Sequence, residues 1–407
     1  MLSGIYPSLY LTSFVPVHFL KNKTVTTFSR GIFRKVLVIL QFALSIFLII
    51  ATLGIADQIR YIQNKNLGFN KSHILVIPLR SNQIRKQFSS FRQTLMQNNG
   101  ISNVSAVSNI PGGQFNNNDV YWKDPQQYIN TAEMWVDDEF FKLMEMDIVA
   151  GRAFSSEFTS DSVASFILNQ KACRELNLSD PVGEMITWNG DYPGTIHGKI
   201  IGVVKDFNFK SLHEDIAPLI IQRISTNGQM VYLLIRLQSN DMSATIKFIE
   251  KTWKQFESDL GFKYSFLDED FKKLYADEEK MLYLFRIFTL LGIFIACLGL
   301  LGLSGYLAEQ RTKEIGIRKV HGSSSRQVFL LLNREIGYQI LISSLIAWPV
   351  TWLILHRWLR NYPYHVDINL VFFFIATLGA AIIAILITVY QSLSSAWKNP
   401  VDSLRYE

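Results

Sequence analysis

Four long apolar runs constrain this 407-residue chain more than any other feature of its sequence. The runs are residues 36–56, 287–307, 336–355 and 370–390, and none of them contains Asp, Glu, Lys or Arg. A helix needs about 20 mainly apolar residues to cross a bilayer, and a single central Lys or Arg would cost roughly 2.5–3.5 kcal/mol. A soluble enzyme could bury one such helix, but four of them indicate an integral membrane protein with four transmembrane helices.

The distribution of charged residues predicts how these helices are oriented. Five basic residues precede the first run, and the first acidic residue of the chain is Asp57. Because Lys and Arg are enriched on the cytoplasmic side of membrane proteins, segment 1–35 is predicted to be cytoplasmic. The predicted segments that follow are helix 1 at 36–56, an extracytoplasmic segment at 57–283, helix 2 at 284–307, a cytoplasmic loop at 308–335, helix 3 at 336–355, a short extracytoplasmic loop at 356–369, helix 4 at 370–390 and a cytoplasmic tail at 391–407.

The same distribution argues against binding to nucleic acid. Segment 57–283 contains 24 Lys and Arg against 28 Asp and Glu. The basic excess behind the formal charge of +6 therefore lies in the membrane portion, mostly in its cytoplasmic flanks. This pattern is typical of membrane topology and of contact with anionic lipid.

The composition and hydrophobic periodicity of segment 57–283 are those of a globular domain. Its periodicity predicts strands at 73–79, 104–107, 165–168, 199–204 and 231–237, and helices at 83–97, 137–144, 170–176 and 244–256. The turn at Pro111-Gly112-Gly113 is predicted to lead into an Asn-rich loop. The mixture indicates an α+β domain of two lobes between helices 1 and 2.

Both flanks of this domain are predicted to be helical extensions of the neighbouring spans. Ile55, Ile59 and Ile62 continue a helical spacing after the first span, and a second set does so before span 2. That second set is Phe271, Leu274, Tyr275, Glu278 and Leu282. The two segments are predicted to be stalks that either transmit motion or simply connect the domain to the membrane.

The sequence contains no recognisable catalytic, cofactor or metal motif. It has no G-x-x-x-x-G-K-[ST] phosphate loop and no H-E-x-x-H pair. His213-Glu214-Asp215 is interpreted as a solvated loop, and neither Cys173 nor Cys297 has a basic neighbourhood that favours a reactive thiolate. Four aromatic residues of the outer segment could line an apolar site, but a place in the core is favoured for them. These are Tyr121, Trp122, Trp135 and Trp188.

The loop between spans 2 and 3 is the most specific part of the sequence. Glu314 and Arg318 stand four residues apart with Glu first, which favours a helix. Gly322 is a good helix stop, and Ser324 with Gln327 forms a capping-box start for the next helix. The loop is predicted to be a short basic helix, a sharp turn and a second helix that enters span 3.

This loop resembles the signature of the FtsX-like permease domain found in ABC transporters of the MacB type. The matching motif is RTKEIGIRKVHGSSSRQV, within a permease domain predicted at 284–400. RKVLVILQFALSIFLIIATLGIADQIRYIQNKNLGF resembles the first span and stalk of that family, and IIGVVKDFNFKSLHEDIAPLII resembles its periplasmic core domain. The tail NPVDSLRYE is also similar to that of the family.

The resemblance implies a transport machine rather than an enzyme. The loop would be a coupling helix that docks on a separate cytoplasmic ATPase subunit, which binds the ATP, so this chain needs no cofactor. The coupling residues it implies are Arg311, Lys313, Glu314, Ile315, Gly316, Ile317, Arg318 and Lys319. Other implied partners are a second permease unit, as a homodimer or tandem repeat, a periplasmic adaptor or outer-membrane channel, and membrane lipid. The implied location is the bacterial inner membrane, with both termini cytoplasmic.

One departure from the tandem members of the family concerns residues 1–35. SFVPVHFLKNK near the start resembles the C-terminal tail, so this segment is interpreted as the remnant of a preceding repeat. Only one complete four-span unit follows. The alternatives are a truncated half of an eight-span permease, a chain that starts at an internal methionine, or a homodimer of four-span units.

Three functions are compatible with this reading. The first is the permease subunit of an ABC transporter, with export as the direction. The second is a signalling or regulatory protein of the same fold that acts mechanically on an extracytoplasmic partner. The third, a membrane-anchored enzyme with its active site in 57–283, is disfavoured by the lack of catalytic motifs.

Overall fold

The structure of the protein is a computed structural model that describes residues 25–80, 82–158, 161, 164–190, 194–225, 229–238, 241–310 and 325–396. The chain divides into two compact units. The helical unit contains the described residues up to Gln58 together with Lys280–Leu359 and those from Val366 onward. The outer domain contains Ile59–Glu279 and Arg360–His365.

The elements of the described chain are numbered here in chain order. The helices are α1 (Val25–Asn64), α2 (Asn82–Lys86), α3 (Phe88–Leu95), α4 (Phe140–Leu143), α5 (Gln170–Glu175), α6 (Met242–Phe256), α7 (Leu267–Lys273), α8 (Ala276–Gln310), α9 (Ser325–Leu359) and α10 (Leu370–Ala396). The strands are β1 (Ile74–Pro78), β2 (Ile101–Val107), β3 (Asn117–Tyr121), β4 (Tyr128–Val136), β5 (Ile148–Gly151), β6 (Ser165–Asn169), β7 (Met185–Asn189), β8 (Thr195–Val204), β9 (Leu219–Arg223), β10 (Tyr232–Leu237) and β11 (Ser265–Phe266).

The helical unit contains the four apolar helices that the sequence predicts. Stretches long and apolar enough to cross a membrane are Arg34–Asn64, Ala276–Gly302, Asn333–Leu359 and Leu370–Tyr390. The core of this unit is built by α1, α9 and α10, with Leu300 from α8. Several large apolar side chains of α8 are exposed, including Phe288, Leu291 and Ile295. An outward apolar surface of this kind is expected where the solvent is lipid.

The structure corrects one of the two predicted stalks. Helix α1 runs without a break to Asn64, as the spacing of Ile55, Ile59 and Ile62 predicts. On the other side, however, α8 begins only at Ala276, and Phe271 lies on the separate helix α7. At the break, the hydroxyl oxygen of buried Tyr275 accepts a hydrogen bond from the Leu212 amide at 2.9 Å. The spacing of apolar residues could not predict this hydrogen bond, because its two partners are far apart in the sequence.

The first lobe of the outer domain is an antiparallel sheet covered by two helices. Its strand order is β11-β1-β10-β2. Helix α3 faces it with Phe88, Phe91 and Leu95, whose spacing of three and four residues places them on one side of the helix. Helix α6 adds Ile249 and Trp253 to the same core.

The second lobe is built from a closed ring of strand pairings. The order around the ring is β4-β3-β7-β8-β6-β9, and β9 pairs with β4 again. Its core includes Trp188, Phe166 and Ile220, all almost completely buried. Strand β5 lies along β8, and Gly151 adopts a positive φ of 70° where a Cβ would lie 2.2 Å from the Ile201 carbonyl oxygen. A larger residue there would collide with the neighbouring strand.

The prediction of an Asn-rich loop after the Pro-Gly-Gly turn is wrong in part, because residues 117–121 form strand β3. Asn and Asp are disfavoured in strands on average, so the sequence Asn-Asn-Asp-Val-Tyr gave no strand signal. The segment is nevertheless held on both edges, by β4 and by β7. The neighbouring β4 was also missed, and the helix predicted at 137–144 is confined to α4.

The two lobes meet around Asp137. Strands β2 and β4 pair there only through Val107 and Val136. The Asp137 carboxylate accepts hydrogen bonds from the Ser105 hydroxyl at 2.6 Å and the Ala106 amide at 3.0 Å. Burial outweighs these bonds and raises the pKa of Asp137 to about 6.

The raised pKa of Asp137 predicts a pH-dependent stability of the outer domain. Between about pH 4 and pH 6 the folded state retains a proton that the unfolded state releases, so the free energy of unfolding falls as pH rises. A difference of about two pKa units corresponds to roughly 3 kcal/mol. We expect Asp137→Asn to remove most of this fall, measured by thermal unfolding of the detergent-purified chain at pH 4 and pH 7. Asp180→Asn, at an exposed carboxylate, should retain it, and an unchanged fall in Asp137→Asn would contradict the assignment.

Candidate functional site

Helices α1 and α8 are joined inside the helical unit by small and hydroxyl-bearing residues. The hydroxyls of Thr52 and Thr289 lie 2.8 Å apart. The Ser45 hydroxyl donates to the Gly292 carbonyl at 3.2 Å. At Gly299 a Cβ would lie 2.4 Å from the Gln41 side-chain oxygen, so the two helices pack closely there. Small residues allow such close helix packing in membranes.

Helix α9 is joined to α1 and to α10 by similar contacts. The Ser343 hydroxyl donates to the Ile39 carbonyl at 2.8 Å. Thr377 of α10 accepts from the Trp348 indole N–H at 3.1 Å, and its hydroxyl lies 3.2 Å from that of Ser344. These bonds connect all three helices of the buried core through uncharged groups.

The chemistry of the helical unit therefore favours helix association over ion transfer. Segments 36–56, 287–307, 336–355 and 370–390 of these helices contain no Asp, Glu, Lys or Arg, and the charged residues of the helices flank these segments. Lys35 and Glu335, for example, pair at the first turns of the spans in α1 and α9. A proton relay or ion path normally needs ionisable groups inside the membrane. The polar contacts instead hold uncharged helices in register.

The coupling residues implied by the sequence lie outside the described residues. All eight, from Arg311 to Lys319, fall in the segment 311–324. The described chain ends at Gln310 of α8 and resumes at Ser325, the first residue of α9. Their role stays a prediction.

The outer domain offers no metal-binding group within the part of the chain that the structure describes. Cys173 is buried in the core of the second lobe, and burial raises the pKa of its thiol to about 11. A thiol in that state is a poor nucleophile at neutral pH. Cys297 lies in α8.

The aromatic residues considered for an apolar ligand site are mainly core residues. Trp135 and Trp188 are buried and pack edge to face with ring centroids 6.0 Å apart. Trp122 packs against the same core and donates its indole N–H to Glu184 at 2.8 Å. Tyr121 pairs with Tyr128 and with Thr187 at the edges of β3. Burial thus supports a core role for Trp135 and Trp188, whereas Tyr121 and Trp122 are half-buried.

The structure differs from the sequence interpretation at His213. Its Nε2 lies 2.8 Å from a carboxylate oxygen of Glu278, and its Nδ1 lies 2.7 Å from the Ser211 hydroxyl. His213 is therefore part of a hydrogen-bonded group rather than a solvated loop. The partners are separated by 65 residues, so no local motif could have revealed the contact.

Two family models match the chain, one after the other. The model described as MacB-like periplasmic core domain matches residues 36–250, and the model described as FtsX-like permease C-terminal matches residues 286–400. The first match covers more than half of the chain. No curated protein matches it in sequence.

Solved structures match about half of the chain. The periplasmic region of MacB from Actinobacillus actinomycetemcomitans aligns with 52% of this chain and 97% of its own, at 13% identity and a TM-score of 0.37. The extracellular domain of the noncanonic ABC-type transporter YknZ from Gram-positive bacteria aligns with 47% of this chain and 98% of its own, at 12% identity and a TM-score of 0.35.

Proposed function

The chain belongs to the family of membrane proteins that combine a MacB-like periplasmic core domain with an FtsX-like permease domain, and we propose that it couples ATP hydrolysis on a separate ATPase subunit to movement of its outer domain. It is a membrane subunit of the ABC-transporter type, with several membrane-spanning helices in an inner membrane. The proposed direction of transport is export.

The order of the two family matches carries this proposal. The core-domain match begins in the first apolar helix, and the permease match covers the other three. Helices α1 and α8 each contain residues of the helical unit and of the outer domain. Because every turn of a helix is hydrogen-bonded to the next, such a helix can pass a displacement from one end to the other.

The proposed docking element for the ATPase is the segment 311–319. Its basic and acidic residues, Glu314, Arg318 and Lys319 among them, would form charge pairs with the ATPase surface. Arg311 and Lys313 would hold the segment at anionic lipid. This placement requires the loop and both termini to be cytoplasmic, the orientation predicted from the basic flanks.

The proposed assembly contains further partners. A second permease unit, supplied by another copy of this chain or by a tandem unit, would complete the membrane part. A periplasmic adaptor or outer-membrane channel would receive what the outer domain releases. ATP would bind to the partner ATPase, since the sequence of this chain contains no phosphate-loop motif.

Co-expression with ABC ATPases of the source genome that lack membrane helices tests the proposal. We expect one of them to co-purify with the detergent-solubilised chain and to hydrolyse ATP at a different rate in its presence. A variant in which segment 311–324 is replaced by a Gly-Ser linker of equal length should purify as well but lose the ATPase. If none of these ATPases binds the wild-type chain, the proposal is wrong.

A further inference from the structure

A short segment between spans 3 and 4 is tied to the outer domain. Residues 360–365 connect α9 to the chain leading into α10, yet they group with the outer domain rather than with the helical unit. The Tyr362 hydroxyl donates a hydrogen bond to a carboxylate oxygen of Glu278 at 3.2 Å. The same oxygen lies 2.8 Å from Nε2 of His213. Here these three residues are called the clasp.

The donors and acceptors of the clasp fit one another. A carboxylate accepts only, so His213 donates through Nε2, and its Nδ1 lies 2.7 Å from the Ser211 hydroxyl. Burial raises the pKa of Tyr362, which keeps its hydroxyl protonated and able to donate. Glu278 thus receives two hydrogen bonds at a single oxygen, and bonds to a charged acceptor are among the stronger ones in proteins.

Ring contacts shield part of the clasp from water. The His213 ring lies between those of Tyr275, at 5.7 Å, and Tyr362, at 4.7 Å. Both tyrosines are only 4% exposed. Hydrogen bonds shielded from solvent in this way compete less with water and are more persistent.

A second contact holds the same segment two residues further on. The ammonium group of Lys65, directly after α1, lies 4.1 Å from the centre of the Tyr364 ring. A cation at this distance from a ring face is attracted to it. The segment is therefore held at the end of α1, at the first turn of α8 through Glu278, and at the loop that carries His213.

We propose that the clasp permanently holds segment 360–365, and with it the outer ends of spans 3 and 4, on the outer domain, so that movement of this domain acts on all four spans. Transmission through the clasp rests on the proposed function. The fixation itself does not, because it concerns contacts within the outer domain alone.

Hydrogen–deuterium exchange of the purified full-length chain tests the fixation. In the wild type we expect the amides of the non-proline residues in 361–365 to be protected, and equally so in the ATPase complex with and without ATP. Glu278→Ala should speed their exchange roughly tenfold or more, because it removes both hydrogen bonds to the carboxylate. Tyr362→Phe, which removes one hydroxyl and keeps the ring, should give a smaller increase in the same peptides.

Glu279→Ala is the matched control. Glu279 is the next carboxylate of α8, but it accepts its hydrogen bond from Gln63 rather than from the clasp. We expect it to leave exchange at 361–365 unchanged. The fixation is refuted if these amides are unprotected in the wild type, if ATP removes their protection, or if Glu278→Ala and Glu279→Ala behave alike.

The ATPase rate of the complex tests transmission. We expect Tyr362→Phe to reduce the effect of the chain on the ATPase rate several-fold while leaving ATPase binding intact, and Glu279→Ala to have no effect. Equal rates in Tyr362→Phe and the wild type would refute transmission. If no ATPase binds the wild-type chain, the proposed function fails and transmission with it, whereas the exchange data still decide the fixation.

Discussion

Reversing the charges at Arg318 and Lys319 to Glu is expected to abolish the effect of this chain on its ATPase partner. The two substitutions change the charge of the proposed docking segment by four units. Each ion pair at such an interface would become a repulsive contact, and the partner charges would remain desolvated without compensation. We expect the affinity for the ATPase to fall by about a hundredfold or more, measured by pull-down and by titration of the ATPase rate.

The outer domain supplies the control for this experiment. Lys247 and Lys251 are exposed on helix α6, and their replacement by Glu changes the net charge of the chain by the same amount. This variant should bind and stimulate the ATPase as the wild type does. Normal stimulation by the Arg318→Glu, Lys319→Glu variant would exclude these residues from the docking surface.

Replacing Trp188 by Ala is expected to cause the largest loss of stability in the outer domain. Trp188 lies on β7, is completely buried in the core of the second lobe, and packs against Trp135. Removal of a large aromatic side chain from a core costs about 3–5 kcal/mol, because the cavity collapses only partly. For a domain of this size, such a loss lowers the melting temperature by roughly 10 °C, measurable by circular dichroism of the detergent-purified chain.

Trp188→Phe separates the packing of the ring from its polar group. Among the described residues, no acceptor bonds the buried indole N–H of Trp188. Phe therefore removes a buried donor that makes no bond while it keeps an aromatic ring in the core. We expect a loss of less than about 1.5 kcal/mol for Phe. A similar melting temperature for Ala and the wild type would show that this site does not support the core.

The outer domain shows where sequence patterns stop predicting the fold. Strands such as β1 and β10 are apolar enough to be recognised, because both are buried in the sheet of the first lobe. Strand β3 is not, since three of its five residues are Asn or Asp. It is a strand because β4 and β7 supply hydrogen bonds on both sides, and β7 comes from a distant part of the chain.

The clasp shows the same limit for the functional contacts. Glu278 could be assigned to a stalk from its spacing, but nothing near it in the sequence identifies His213 or Tyr362 as partners. They lie 65 and 84 residues away along the chain. The coupling residues are the opposite case, since they form one local motif in residues 311–319.

The sequence by itself determined the properties that depend on local composition. These are the four apolar helices, the α+β character of the domain between the first two, and the family to which the chain belongs. Only the tertiary structure decided the ring of strands in the second lobe, the break before α8 and the attachment of residues 360–365 to the outer domain. The physical reason is that the free energy of transferring a helix into lipid is a sum over consecutive residues, which the sequence shows directly. Strand pairing and side-chain hydrogen bonds instead depend on partners that only folding brings together.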